Sequence, residues 1–255
     1  MTAPGEAVGV ERREPALEAF YVQRSVPVLT VEHALARDLG PELAQVLRPR
    51  LCADVIHVDG RSWNPDTIPL GPEQGLGMLV LDGLMEREVH VAGRTAAEIL
   101  GPGDVLRPWD LEDTLAACVP VTSDWTVLEP AQVAVLDSRT TALAARCPKL
   151  MTILMSRTLQ RSRSLAVLLA IAQIRRLDAR ILTLLWHLAD RFGRVRAEGV
   201  ALPVPLKHVT MAKLLAATRP SVSSALAELV ARDELERLPD GGWLLKGEPP
   251  TAVGD

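Results

Sequence analysis

The chain has 255 residues, of which 48% are hydrophobic and 24% are charged, so it is long enough for one or two globular domains and too hydrophobic to be disordered. Its formal net charge of −4 conceals an uneven distribution, because residues 1–148 carry 12 basic and 22 acidic side chains whereas residues 149–247 carry 16 basic and 8 acidic ones. This asymmetry predicts an acidic module joined to a basic one that meets a polyanion.

The cysteines and the apolar runs exclude several further classes. Cys52, Cys118 and Cys147 are too far apart for a disulfide framework, a zinc site or an iron–sulfur cluster. The first 13 residues lack the apolar stretch of a signal peptide, and the longest apolar run, Leu165–Ala172, is too short to span a membrane. We therefore expect a cytoplasmic protein with no metal site and no membrane contact. We expect no bound cofactor, and the alternative left open is a haem sensor that uses a His, Cys or Met of the barrel as axial ligand.

The N-terminal half is expected to be mainly β-structure. Residues 1–24 are rich in Gly, Pro and Glu and are interpreted as a flexible tail, and residues 31–47 have helical spacing broken at Gly40-Pro41. Short Val-, Ile- and Leu-rich runs, separated by turn residues, then indicate an antiparallel barrel or sandwich. The expected strands span residues 53–58, 77–81, 84–91, 95–100, 125–128 and 132–136, with a hairpin turn at Ala92-Gly93-Arg94.

The pattern becomes helical after Asp137. It predicts a short helix over Ser138–Arg146, a long one over Lys149–Ala172 and a third over Arg175–Phe192. A near-heptad row on the long helix supplies our candidate dimer contacts, which are Leu154, Thr158, Arg161, Leu165, Leu168 and Ala172. The pattern leaves open whether this helix packs inside one subunit or lies between two.

Residues 209–246 predict a winged helix. Thr210 is expected to cap a helix over residues 211–216, and Thr218 a second helix over residues 219–232 that buries Val222, Leu226, Leu229 and Val230. Two short helices joined by a tight turn form a helix-turn-helix. The runs 235–238 and 243–246, on either side of a Pro-Asp-Gly-Gly turn, predict the hairpin that completes the wing.

The start of the second helix points to DNA. Arg219, Ser221 and Ser223 are hydrogen-bonding residues where a buried helix would have apolar bulk, and a helix N-terminus favours phosphate. The alternative is an ordinary helical hairpin followed by an edge hairpin. The candidate DNA contacts are polar residues in or beside the motif, namely Lys207, His208, Thr210, Lys213, Thr218, Arg219, Ser221, Ser223, Ser224 and Lys246.

These residues also carry a family resemblance. Residues 210–226, which read TMAKLLAATRPSVSSAL, together with the GGWLL wing, resemble the DNA-binding domain of the cyclic-AMP receptor/Fnr (Crp/Fnr) family of bacterial transcription regulators. Residues 83–106, with a hairpin and a Gly-Asp turn, resemble that family's nucleotide-binding barrel. The resemblance implies an α+β chain with a cyclic-nucleotide-binding-like β-barrel (jelly roll), a long dimerisation helix after Pro148 and a C-terminal winged helix-turn-helix.

The chain departs from the family at the expected nucleotide site. Residues 119–125 lack the Arg that grips phosphate in nucleotide-binding members, and Asp124, with Asp110, Glu112 and Asp113, would repel a phosphodiester. We therefore expect no cyclic AMP bound in the family's manner.

The resemblance also bears on DNA reading. Pro220 and Ser224 replace an acid and a second Arg that are frequent in the family. Arg219 is therefore the main candidate to read a guanine.

The tryptophans have two possible uses. Trp63, Trp109 and Trp125 are expected to pack in the barrel, with an effector pocket as the alternative, and Trp186 and Trp243 are expected in interdomain and wing packing.

The resulting hypothesis is a sequence-specific transcription regulator, not an enzyme, that binds palindromic double-stranded DNA as a homodimer. RNA polymerase is a possible further partner, and the effector is unknown. The alternatives are a jelly-roll small-molecule binder or metal-dependent enzyme with an accessory helical domain, and a protein–protein adaptor. The expected boundaries are a tail over 1–24, the barrel over 25–148, the dimerisation helix over 149–174, the winged helix domain over 175–247 and a tail over 248–255.

Overall fold

The computed structural model describes residues 20–60, 62–65, 68, 75–107 and 119–250. The N-terminal elements are β1 (Phe20–Pro27), a 3-10 turn (Val28–Thr30), α1 (His33–Leu39), α2 (Pro41–Leu47), β2 (Cys52–Val58), β3 (Gly75–Val91), β4 (Arg94–Leu100), β5 (Val105–Leu106) and β6 (Val121–Asp137). The C-terminal elements are α3 (Ser138–Ala145), α4 (Pro148–Ala172), α5 (Leu177–Phe192), β7 (Arg194–Arg196), β8 (Gly199–Leu202), α6 (His208–Leu214), α7 (Arg219–Ala231), β9 (Leu235–Arg237) and β10 (Trp243–Leu245).

The N-terminal strands form one antiparallel sheet, which we call the β domain. Its order is β1-β2-β6-β3-β4, and β5 pairs with β3. The expectation that residues 20–24 belong to a flexible tail is wrong, because they pair with β2, with Phe20 opposite Val58. These five residues read FYVQR, and the Gly, Pro and Glu residues that suggested a tail all lie before residue 20. The rest of the expected tail, residues 1–19, lies outside the described residues.

Strands β3 and β6 are longer than predicted. The sequence predicts two short strands in place of each, but each is a single strand of 17 residues whose mutual pairing shifts at bulges. Gly83 marks one of these, with φ +82, and a side chain there would place its first carbon 2.1 Å from the carbonyl oxygen of Pro130. The turn-forming residues therefore bend continuous strands and do not end them.

The sheet has a packed core on each face. Helices α1 to α4 cover one face, where Leu79 and Leu81 are buried against Leu150 and Leu154. On the other face Trp63 and Trp125 are buried edge to face, with ring centroids 5.5 Å apart. The packing role expected of these two tryptophans is confirmed, and Trp109 lies outside the described residues.

The C-terminal half contains the predicted winged helix. Helices α6 and α7 form the helix-turn-helix, and the sheet order is β7-β8-β10-β9. Thr218 caps α7 as expected, since its hydroxyl accepts a hydrogen bond from the Ser221 backbone N–H at 3.4 Å.

Two local predictions about these helices are wrong. Thr210 does not cap α6, because Lys207 already has the extended N-cap conformation and the helix starts at His208. Val230 is exposed. The buried row of α7 runs through Val222, Leu226 and Leu229, and Val230 lies about 100° around the helix from Leu229, at the side of that row.

The β domain and the winged helix share a hydrophobic core. Leu84 of β3 and Ile99 of β4 belong to the same buried cluster as Ile181 of α5 and Met211 of α6. Trp243 is buried in this cluster, and Trp186 packs against it, as the sequence predicted. Two buried side chains of the β domain thus join the apolar core of the winged helix.

A search of the helices in the described part of the chain found none that is long and apolar enough to cross a membrane.

Candidate nucleic-acid interface

The N-terminus of α7 presents polar groups to solvent. Arg219, Ser221 and Ser224 are exposed there, whereas Val222 and Leu226 of the same helix are buried in the core. The Arg219 guanidinium makes no ion pair or hydrogen bond to any residue that the structure describes. These side chains can engage phosphates and base edges, whereas Pro220 has no N–H and the N–H of Ser221 is bound to Thr218.

A hydrogen-bonded chain connects α6 to this surface. The hydroxyl of Ser223 donates to the carbonyl oxygen of Arg219 at 3.1 Å and lies 2.8 Å from Nδ1 of His208. A serine hydroxyl carries a single proton, so the His208 ring must donate through Nδ1 when Ser223 donates to Arg219. Burial, and then the positive charges of Arg237 and Arg219, hold the pKa of His208 below its ordinary value.

Two of the candidate DNA contacts face the β domain instead. Thr210 is buried, and its hydroxyl donates to Oε2 of Glu86 at 2.8 Å. Lys213 forms an ion pair with Glu88, and its Nζ lies 3.6 Å from Oε1 of Glu86. In this conformation neither side chain belongs to the exposed surface at the start of α7.

The wing lysine is also occupied. Nζ of Lys246 lies 2.6 Å from Asp233 and 3.0 Å from Glu236. Its charge is therefore largely neutralised within the wing, whereas Lys207, at the start of α6, is exposed and makes no ion pair with the described residues.

The long helix α4 packs on its own chain through one face. Its inner row contains Leu150, Leu154, Arg157, Arg161, Ser164, Leu168 and Ile171, a spacing of alternating fours and threes. Leu154 is 4% exposed and packs against the β domain, and Leu168 packs against the cluster shared with the winged helix. Arg161 binds Glu98, with its Nε and a terminal nitrogen 3.1 and 2.7 Å from the two carboxylate oxygens.

The opposite face of α4 carries a second heptad row. This outer row contains Met155, Leu159, Ser162, Ala166 and Leu169 and is exposed along its whole length. It lies one residue beyond the row that the sequence favoured, which corresponds to a rotation of about 100° around the helix. Of the six predicted seam residues, Leu154, Arg161 and Leu168 lie in the inner row, and Thr158, Leu165 and Ala172 lie beside the outer one.

The interior of the β domain contains a buried charge cluster. Glu98 lies 2.8 Å from Nε of Arg87 and also binds Arg161, so two guanidinium groups share one carboxylate. Burial lowers the pKa of Arg87, whose guanidinium lies 5.7 Å from the ring centroid of Trp125.

The acidic residues expected at the nucleotide site are placed only in part. Asp124 points outward and contacts His90 at 3.1 Å, so it does not line the interior. The strand alternation that buries Trp125 turns Asp124 to solvent. Asp110, Glu112, Asp113 and Cys118 lie outside the described residues.

Sequence reasoning missed the outer row of α4 and the acidic pair Glu86 and Glu88. The outer row was detectable as Met155, Leu159 and Leu169 at heptad spacing. Glu86 and Glu88 alternate with Arg87 along a strand. This pattern predicts that the acidic pair and Arg87 lie on opposite faces of the sheet, but it does not predict which residues contact either face.

Comparisons with known proteins show the fold. At the level of sequence, no protein-family model and no curated protein matches the chain. A cyclic nucleotide-binding domain containing protein from Listeria monocytogenes is similar in structure, with a TM-score of 0.58, 17% identity, and 85% of this chain and 96% of that chain covered. A CooA mutant from Carboxydothermus hydrogenoformans has a TM-score of 0.54, 16% identity, and coverage of 88% and 92%.

A transcriptional regulator of the CRP family from Thermus thermophilus has a TM-score of 0.50 and 20% identity, with 75% of this chain and 91% of that chain covered. The chain therefore has the fold of Crp/Fnr-type regulators, and the predicted α+β class, with a cyclic-nucleotide-binding-like domain followed by a helix-turn-helix, is confirmed.

Proposed function

We propose that the protein is a sequence-specific DNA-binding transcription regulator of Crp/Fnr type that acts as a dimer on a palindromic operator. The observation that carries this proposal is the N-terminus of α7, where an unpaired Arg219 and two exposed serines project from a helix held firmly by the core. The similarity to a transcriptional regulator of the CRP family from Thermus thermophilus supports the same function.

The proposed interface consists of the residues that remain available at the helix-turn-helix. Arg219 reads a guanine through its two terminal nitrogens, while Ser221 and Ser224 contact bases or phosphates. Lys207, His208 and the cap at Thr218 position the motif on the phosphate backbone. Ser223 stabilises this surface through its hydrogen bond with His208. Thr210, Lys213 and Lys246 contact acidic residues of the same chain and do not contact DNA directly.

The proposed dimer forms through the outer row of α4. The occupant of this row is a second copy of the chain, because heptad-spaced apolar residues exposed along a helix are what a two-stranded coiled coil requires. A helix that is apolar on two opposite faces needs cover on both, and the protomer covers only the inner one. Two-fold pairing would present two copies of α7 to half-sites about one helical turn apart.

A mobility-shift titration with Arg219→Ala tests this function. Loss of one bidentate guanine contact costs about 1–3 kcal/mol per half-site, so specific affinity should fall by roughly 30-fold or more across a palindrome, while salt-sensitive binding to random DNA persists.

Arg232→Ala is the matched control, because Arg232 is at the other end of α7 and is paired with Asp178 and Glu234. Because a surface ion pair contributes little free energy, Arg232→Ala should leave the affinity for the specific duplex within about threefold of wild type. Equal losses on specific and random DNA would refute the role of Arg219. Absence of any salt-dependent retardation by the wild-type protein would refute DNA binding and favour the binder or adaptor alternatives.

A further inference from the structure

The contact between the β domain and the helix-turn-helix centres on a buried carboxylate. Glu86 of β3 is 3% exposed and accepts the hydrogen bond from Thr210 through Oε2. Its Oε1 has no hydrogen-bond partner in the described part of the chain, and the nearest cation is Lys213 Nζ at 3.6 Å. A buried carboxylate without compensation is costly, so this position is stable only while α6 remains docked.

Both partners of Glu86 lie on one face of α6. Thr210 and Lys213 are three residues apart, a spacing that places them side by side on a helix, and Lys213 also pairs with Glu88 on the same face of β3. The adjacent residue Met211 is in the shared core. Helix α6 is therefore fixed in both position and rotation against the β3–β4 hairpin.

The same hairpin is attached to α4 through its other face. Arg87 and Glu98 lie opposite each other on β3 and β4, and Glu98 binds Arg161. Side chains alternate between the two faces of a strand, so Glu86 and Glu88 face α6 while Arg87 faces the interior. The hairpin thus connects the proposed dimer helix on one side with the helix-turn-helix on the other.

The contact leaves the DNA-reading surface open. With Thr210 and Lys213 docked, Arg219, Ser221 and Ser224 are still exposed. A contact that inhibited DNA binding by coverage would bury these groups, so the geometry favours a role in orientation.

We infer that Glu86, Glu88, Thr210 and Lys213 form a positioning site that sets the distance between the two recognition helices of the dimer, and hence the half-site spacing that the protein accepts. This inference rests on the proposed function. Because the hairpin holds α6 relative to α4, the two copies of α7 are presented at one separation. Loss of the site frees the winged helix to adopt several separations.

The test compares half-site spacings. A palindromic duplex recovered by in vitro selection with the wild-type full-length protein is remade with one or two base pairs added to or removed from its centre. The variants are Lys213→Met, which keeps most of the side-chain stem, and the double substitution Glu86→Gln with Lys213→Met, which removes the buried charge of Glu86 together with its cation and leaves only Glu88 unpaired. Glu42→Gln, an exposed carboxylate on α2, is the control.

We expect both variants to lose about five- to 150-fold affinity for the selected spacing, the range typical of coupling between two sites, and to bind the altered spacings nearly as well as wild type does. Amide hydrogen exchange in α6 of the free protein should become faster in both variants and stay unchanged in the control. Lys213→Glu combined with Glu88→Lys, made in the Glu86→Gln background so that no two carboxylates adjoin, should restore part of the spacing preference.

Several results would overturn the inference. An unchanged spacing preference in variants whose α6 exchanges faster would show that the contact exists but does not set spacing. Tighter binding to every duplex would show that the contact inhibits. If the wild-type protein binds no duplex, the proposed function fails and the spacing role fails with it, while the exchange data still show separately whether the site holds α6.

Discussion

The outer row of α4 allows a direct comparison of two substitutions that lie five residues apart on opposite faces. Leu159 is 55% exposed in the protomer, whereas Leu154 is 4% exposed and packed against the β domain. Each is replaced by Ala in the full-length protein. Leu159→Ala should weaken the dimer without unfolding the protomer, and Leu154→Ala should destabilise the protomer without weakening its self-association.

The magnitudes follow from burial. Full burial of a Leu side chain is worth about 1.5–3 kcal/mol, so covering the exposed half of Leu159 accounts for about 1–1.5 kcal/mol in each protomer. Both copies change in a homodimer, which gives about 2–3 kcal/mol, or roughly 30- to 150-fold in Kd. Truncating the buried Leu154 should lower the free energy of unfolding by about 2–5 kcal/mol per protomer.

Sedimentation equilibrium measures the dimer Kd, and urea unfolding, followed at several protein concentrations, measures the stability of the protomer. Protein concentration matters because dimerisation itself stabilises the folded chain by mass action. The reasoning is refuted if Leu154→Ala dissociates the dimer while Leu159→Ala does not. The row containing Leu154, Arg161 and Leu168 would then be the seam, and α4 would have to detach from the β domain to form it.

Two further predictions concern titration and the buried charges. The pKa of His208 is held below its ordinary value near 6.5, so its burial costs no stability well above that pH and costs more as the pH falls toward the lowered pKa. DNA phosphates favour the charged ring, so affinity measured by fluorescence anisotropy should fall as the pH rises through and above this lowered pKa, and a pH-independent affinity difference between wild type and His208→Gln would contradict this. Glu98→Gln leaves the buried Arg87 without a counter-charge and removes the carboxylate from the partly buried Arg161, so it should cost about 3–5 kcal/mol in urea unfolding, whereas the exposed Glu228→Gln should change stability by no more than about 0.5 kcal/mol. Similar stabilities for these two variants would argue against the buried cluster.

The local features were predictable from the sequence. The cap at Thr218, the turn before it, the buried row through Val222 and Leu226, and the wing around the Pro-Asp-Gly-Gly turn all depend on residues within one or two helical turns of each other. The pattern of the winged helix is therefore contained in residues 209–246, and the fold class follows from it together with the strand-rich N-terminal half.

The use of the basic charge could not be predicted in the same way. The excess of basic residues in the C-terminal half led to the prediction of DNA binding. Several of these basic side chains instead form ion pairs with acidic residues of the β domain. Among the described residues, the ion pairs that join the two halves are Arg157 with Glu32 and Asp38, Arg161 with Glu98, Arg191 with Asp104, and Lys213 with Glu86 and Glu88. A charge count sums over a segment, whereas pairing depends on which side chains the fold brings within a few ångströms.

The residue pattern was sufficient to predict that α4 is a long helix with an apolar heptad repeat, and that α7 begins with Arg219 behind a capping threonine. Which face of α4 is free, and which lysines remain available, depends on contacts between residues that are far apart in the chain. The outer row and the row that the sequence favoured have the same period, so periodicity does not distinguish them. Their difference arises when Leu154 packs on the β domain and Arg161 binds Glu98, 63 residues away in sequence, and the surface left over is the one that we propose to bind a second chain.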